Sequence, residues 1–114
     1  MPMKVSKETG RHYIWGVDCD GWHLVETDSL SVIEERIPPG GGEMWHYHEK
    51  AQQLYYILSG VAIFETEGVE TEVREGEGYH VRPGARHRIR NLGTGDLHFL
   101  VVSQPRSHGD RVNV

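Results

Sequence analysis

Turn residues punctuate this chain so densely that no long regular element fits between them. Fourteen glycines and five prolines lie among 114 residues, and they fall at short intervals between β-branched and aromatic runs. Gly supplies positive φ and Pro a fixed φ, which tight turns need and helix interiors reject. The breaks are Asp18-Cys19-Asp20-Gly21, Pro38-Pro39-Gly40-Gly41-Gly42, Ser59-Gly60, Glu67-Gly68, Arg82-Pro83-Gly84 and Asn91-Leu92-Gly93-Thr94-Gly95. The pattern between them predicts strands over residues 12–17, 22–27, 30–37, 43–48, 53–58, 61–66, 69–74, 78–82, 86–91 and 96–103. Residues 49–52 fit a short helical turn, but no longer segment carries an amphipathic helical repeat. The chain reads as all-β.

Strands so short and numerous must stack or close on themselves to bury their apolar faces. A β-sandwich or small jelly-roll barrel follows. The length allows one domain over residues 1–114, with N-terminal strands at 12–27 and a polar tail at 104–114 that either frays or docks. Twelve Lys and Arg against seventeen Asp and Glu give a net charge of -5, which argues against a nucleic-acid partner or a basic membrane-surface role. The longest apolar run, Phe99-Leu100-Val101-Val102, falls far short of the roughly 18 residues of a membrane span. The start, Met1-Pro2-Met3-Lys4, lacks the apolar core of a secretory signal, and the expected location is the cytoplasm. The single cysteine, Cys19, excludes an intrachain disulfide framework and a multi-cysteine zinc site. Two flanking aspartates disfavour its thiolate, so it does not read as a nucleophile.

Eight histidines are many for this length. Side chains alternate along a strand, so His46 and His48 point the same way and form a two-imidazole arm for a metal ion. Gln53 heads the next strand, and His87 follows the Pro83-Gly84 turn at another strand start. Any single histidine is more often a surface or hydrogen-bonded core residue, and spacing alone leaves the choice open.

The wider spacing is specific. Gly40, five residues, His46-Tyr47-His48, four residues, Gln53, six residues and Gly60 resemble the first cupin motif, G(x)5HxH(x)3-4E(x)6G. Gly76, five residues, Arg82-Pro83-Gly84, two residues, His87, three residues and Asn91 resemble the second, G(x)5PxG(x)2H(x)3N. The fifteen residues from Val61 to Glu75 between them are typical of small bacterial cupins. Two positions depart from the pattern: Gln53 stands where the family has Glu, and Arg82 where it has Pro. The likeness covers about residues 33–103, and the tail from Ser103 to Arg111 is similar to that of many small cupins.

The resemblance implies a double-stranded β-helix with the motif residues meeting inside the barrel. It places His46, His48 and His87 at the three histidine ligand positions and Gln53 at the carboxylate position. One divalent transition metal ion is implied; zinc, iron, nickel, manganese and copper all suit imidazole-rich sites. A neutral Gln53 oxygen would leave the ion's full charge in place, weakening affinity somewhat and sharpening Lewis acidity at the open positions. Gln53 serving only as a hydrogen-bonding residue is the other reading. Alternation from these positions turns Met44, Tyr55, Ile57 and Ile89 inward, and Trp45 and Tyr47 outward. Tyr55 is the candidate to orient a substrate or donate a proton. Arg86, Arg88 and Arg90 face away from the metal and pair with Glu65, Glu67, Glu70, Glu72, Glu75 and Glu77 across strands, or form an anion-binding stripe. Arg82, near the mouth, could meet an anionic substrate. His80 and His98 on strands, and His12, His23 and His108 at the periphery, read as structural or solvated.

These features point to a metal-binding small cupin that acts as an enzyme on a small oxyanionic or enolic molecule, by dioxygenase-like or isomerase/cyclase-like chemistry. A non-catalytic ligand-binding or sensing barrel, or a barrel with a decayed site, are the alternatives. A homodimer through the N-terminal strands is expected, as small cupins resemble one another in pairing that way.

Overall fold

The computed structural model describes residues 2–107 and 109–114. Eleven strands follow in chain order: β1 (Arg11–Trp15), β2 (Cys19–Glu26), β3 (Ser31–Ile37), β4 (His46–His48), β5 (Gln52–Ser59), β6 (Val61–Thr66), β7 (Val69–Arg74), β8 (Gly78–Val81), β9 (His87–Arg90), β10 (Leu97–Gln104) and β11 (Arg111–Asn113). They form a six-stranded sheet, β1-β2-β3-β10-β5-β8, and a five-stranded sheet, β11-β4-β9-β6-β7, with antiparallel pairing throughout. No helix among the described residues is long and apolar enough to cross a membrane.

The strands that line the interior follow the period-two rule. In β3, β4, β9 and β10 buried and half-buried residues alternate, and the inward rows meet between the sheets. Tyr55, Ile57, Ala62, Phe64, Ile89, Leu97 and Phe99 form the sealed centre. Ala62 and Phe64 face in while Val61 and Ile63 are half-buried, which settles the register of β6. At the β5–β6 turn Gly60 has φ 93°, and a side chain there would press on the Asp96 carbonyl. Asn91 ties three segments together: its Nδ2 donates to the carbonyls of Ile37 and Gly95, each at 2.9 Å, and its Oδ1 accepts from Gly93 N at 3.0 Å.

Four expectations need correction. The first turn lies at residues 16–18, where Gly16 and Asp18 have positive φ, so Cys19 opens β2 and is fully buried. Residues 49–52 make no helical turn; Asp110 captures the amides of Lys50 and Ala51, and the chain enters β5 already extended at Gln52. The fourth strand begins only at His46: Gly42 bridges Arg90 and Glu43 N donates to Ile89 O, but residues 43–45 belong to no strand. Alternation therefore fails at Met44, which is 67% exposed, and Glu43 turns inward in its place. The tail docks: β11 pairs with β4, setting Arg111 opposite His48 and Asn113 opposite His46.

Candidate metal centre

Two short strands carry the histidines. β4 buries His46 and His48 on one face, and β9 sets His87 directly opposite His46 in the ladder. The ring centroids are 4.3 Å apart for His46–His87, 5.2 Å for His46–His48 and 6.1 Å for His48–His87. One ligand atom from each of the three lies within 4.8 Å of the others, so among the described residues this cluster could hold a metal ion.

Two of the rings are aimed by the backbone. His46 Nδ1 donates to Met44 O at 2.9 Å and His87 Nδ1 to Ala85 O at 2.8 Å, which makes each Nε2 the acceptor nitrogen of its ring. His48 Nδ1 is buried without a hydrogen-bond partner. Burial pushes the imidazoles down, His46 to about 3 and His48 to about 4, with His87 lowered for the same reason. Three neutral, converging imidazoles with an orphaned nitrogen among them are the donor set a transition-metal ion requires, so the residues present fit such an ion.

Gln53 and Tyr55 come from the opposite sheet, side by side on the inward row of β5. Gln53 Nε2 donates to Ser103 Oγ at 3.1 Å across the β5–β10 pair, which points its carbonyl oxygen toward the Tyr55 hydroxyl 3.4 Å away. That hydroxyl also lies 3.2 Å from His87 Nε2 and 3.4 Å from Glu43 Oε1. Phe64 packs edge-on against the Tyr55 ring at 5.0 Å and holds it in place. Burial, and then the charges of Glu43 and Glu35, raise the Tyr55 hydroxyl well above the ordinary phenol range. All five residues singled out from the sequence, His46, His48, Gln53, Tyr55 and His87, are thus gathered in one place.

A cavity of about 240 Å³ opens from this cluster, with Tyr13, Ile33 and Glu35 on the far wall and Arg111 at the rim. Sequence reasoning missed three of its charged groups. Glu43 sits in the motif's spacer, where no strand periodicity applies; its side chain is 7% exposed, and burial followed by the Glu35 charge pushes it up to about 8. Its Oε2 is 3.9 Å from His46 Nε2, but with the carboxyl raised and the imidazole lowered this contact joins two neutral groups at pH 7. Glu35 did carry a signal, as it shares an inward row with Ile33 and Ile37. Arg111 lies in the tail that the motif does not reach.

The remaining polar groups sort as follows. Arg88 pairs with Glu65 at 3.0 Å, and Arg90 with both Glu65 and Glu70 at 2.7 Å, the expected cross-strand pairing for these residues, whereas Glu72 pairs with Arg74 on its own strand. Arg82 is exposed beside Thr66 and Tyr79, outside the cavity lining. His23 is buried rather than peripheral, with its ring 5.0 Å from that of Tyr13. His12 contacts Asp20 and His80 contacts Gln52, while His108 lies outside the described residues.

Two sheets closing over a three-histidine cluster that could hold a metal ion define a double-stranded β-helix. The sequence profile of the cupin domain matches residues 33–103, and the chain belongs to the cupin family. An oxalate-binding protein of Thermotoga maritima is 36% identical over 67 residues, covering 59% of this chain and 55% of that protein. Uncharacterized protein MJ1618 of Methanocaldococcus jannaschii is 32% identical over 81 residues, covering 70% of this chain and 65% of that one. The chain therefore spans between half and two thirds of the length of these relatives. Among solved structures, the polyketide cyclase RemF of Streptomyces resistomycificus superposes with a TM-score of 0.85 at 22% identity, covering 100% of this chain and 86% of the cyclase. A predicted oxalate decarboxylase of Thermotoga maritima gives 0.83 at 24% identity, covering 91% of this chain and 100% of that one. At those identities the likeness concerns the fold.

Proposed function

We propose that this cupin is a metal-dependent enzyme acting on a small organic molecule that presents an enol, a hydroxyl or a carboxylate oxygen. The observation that carries this reading is the pair of backbone-aimed imidazoles, His46 and His87, which cluster with His48 beside a cavity that His46 and His48 line. His46, His48 and His87 would hold one divalent transition metal ion, with the Gln53 carbonyl oxygen as a neutral fourth donor. When bound, the ion supplies Lewis-acid polarisation of a ligand oxygen. The chain's own groups do the rest. The apolar wall of Ile33 and Val101 limits water, and Arg111 at the rim favours entry of an anion. Tyr55 holds its proton at Oη and can turn it from His87 Nε2 toward Glu43 Oε1, Gln53 Oε1 or a ligand.

Names among the relatives support this substrate class: one is an oxalate-binding protein and one structural neighbour a polyketide cyclase, and both terms denote oxygen-rich small molecules. Elemental analysis of protein purified without chelators, beside a His87→Ala variant, tests the reading. Near-stoichiometric metal in the parent and little in the variant is expected. Equal trace metal in both would overturn it. The exposed edge strand β1, with Ile14 63% accessible, further supports pairing with a second copy, and sedimentation as a monomer at micromolar concentration would remove that part.

A further inference from the structure

The cavity has a second polar wall that the motifs do not describe. Tyr13, Gly21 and Glu35 lie in one row across β1, β2 and β3. A Cβ on Gly21 would overlap the Tyr13 ring, so the absence of a side chain at that position lets the tyrosine lie across β2. Its hydroxyl thereby reaches Glu35 Oε2 and donates at 2.7 Å. Glu35 Oε1 has no hydrogen-bond partner among the described residues, and the residue is buried with no cation in ion-pair contact. An acid buried this way costs stability that an Ile or Leu in the same row would not, and such a group is a candidate for chemistry rather than scaffolding.

We propose that Glu35, positioned by Tyr13, is the proton acceptor for a hydroxyl-bearing ligand of this cavity, acting from the sheet opposite the histidines. The ligand's O–H bond breaks, the proton passes to Glu35 Oε1, and the electron pair remains on the ligand oxygen. The inference deepens the metal-cavity reading above and rests on it, and it narrows the ligand class to enols, catechols and hydroxy acids. Burial raises Glu35 to about 7, against a lowering by the Tyr13 hydrogen bond and by Arg111, so the group changes charge near neutrality. The other titratable groups near it are Cys19, Tyr55 and Glu43. Cys19 and Tyr55 are pushed upward, away from neutrality, and only Glu43, raised to about 8, competes.

The test titrates metal-loaded protein with catechol, whose hydroxyls ionise in water well above neutrality, and follows binding and proton release by calorimetry in two buffers. Glu35→Gln should keep the parent's metal content and fold, bind the probe about tenfold more weakly at pH 7, and lose the pH-dependent step near neutrality. Tyr13→Phe, which leaves the carboxyl in place, should displace that step to higher pH, because the carboxylate loses its donor. A structural role alone would not move the step. Affinities within about twofold of the parent with an unchanged profile in both variants would overturn the proposal, as would a metal-loaded parent that does not bind the probe. If the parent holds no metal, the metal reading fails separately, and the same titration on the metal-free barrel decides: loss in Glu35→Gln supports the pair, and no loss or no binding overturns it. Should Glu35→Gln fail to fold, the displacement in Tyr13→Phe decides alone.

Discussion

Asn91 offers a direct test of how the second motif supports the site. Its side chain is 1% exposed and spans β3, β9 and the loop before β10 through bonds of 2.9, 2.9 and 3.0 Å. Replacement by Ala strands the Ile37 carbonyl in the interior, at a cost of about 1–3 kcal/mol, while water reaches Gly93 and Gly95 and limits those losses to about 0.5 kcal/mol each. The expected total is about 3 kcal/mol. At about 2.1 cal/mol/K per residue, 114 residues give an unfolding entropy of about 0.24 kcal/mol/K, so the midpoint should fall by about 12 °C. Circular dichroism melts of parent and Asn91→Ala, both stripped of metal, measure this. Asn91→Asp should do no better near neutral pH, because it keeps an acceptor but sets a carboxylate against two carbonyls. A midpoint within about 3 °C of the parent would refute the argument and show that Asn91 is replaceable by water.

Other outcomes follow from neighbouring groups. Glu35 is raised from 4.5 to about 7 by burial, so its contribution to stability is fully present below pH 4.5 and lost as pH rises through 7. In urea melts of metal-free protein, Glu35→Gln should therefore gain about 3 kcal/mol relative to the parent between pH 5 and pH 8.5; parallel curves would contradict the burial of that charge. Gln53→Glu should slow metal loss to a chelator, since a carboxylate binds a divalent ion more tightly than an amide oxygen; unchanged loss would mean that Gln53 does not ligate. Phe64→Ala should cost about 3–5 kcal/mol, as Phe64 is fully buried and packs on both Tyr55 and Tyr79. Asp110→Ala should release β11 and hasten proteolysis of the tail, because the carboxylate holds the amides of Lys50 and Ala51; an equally protected tail would show that β11 docks without it.

Some of this was legible in the residues and some was not, for definite reasons. Strand positions followed from turn chemistry, and β6 and β7 coincide with the predicted 61–66 and 69–74 because Gly60 and Gly68 bound them sharply. The three histidines and Gln53 could be placed together because the resemblance to the cupin motifs implies a fold that brings their strands side by side, information that periodicity and spacing alone lack. Glu43 escaped because inward and outward alternate only within a strand, and β4 starts three residues later. The row of Tyr13, Gly21 and Glu35 depends on the register between three strands, which a single sequence does not state. Arg111 was invisible for a different reason: a three-residue strand carries too little pattern to announce its partner.

The histidine strand borrows both its neighbours from late in the chain. β4 lies between β9, about forty residues further on, and β11, about sixty residues further on. During synthesis His46 and His48 therefore emerge long before anything can fix their geometry. Until residue 87 is made there is no third imidazole, and until residues 111–113 are made one edge of their strand stays unpaired. The order of translation thus delays assembly of the three-histidine cluster until residue 87 has been made. It also makes the far end of the chain, remote in sequence from every motif, the part whose arrival completes the barrel wall around the histidines.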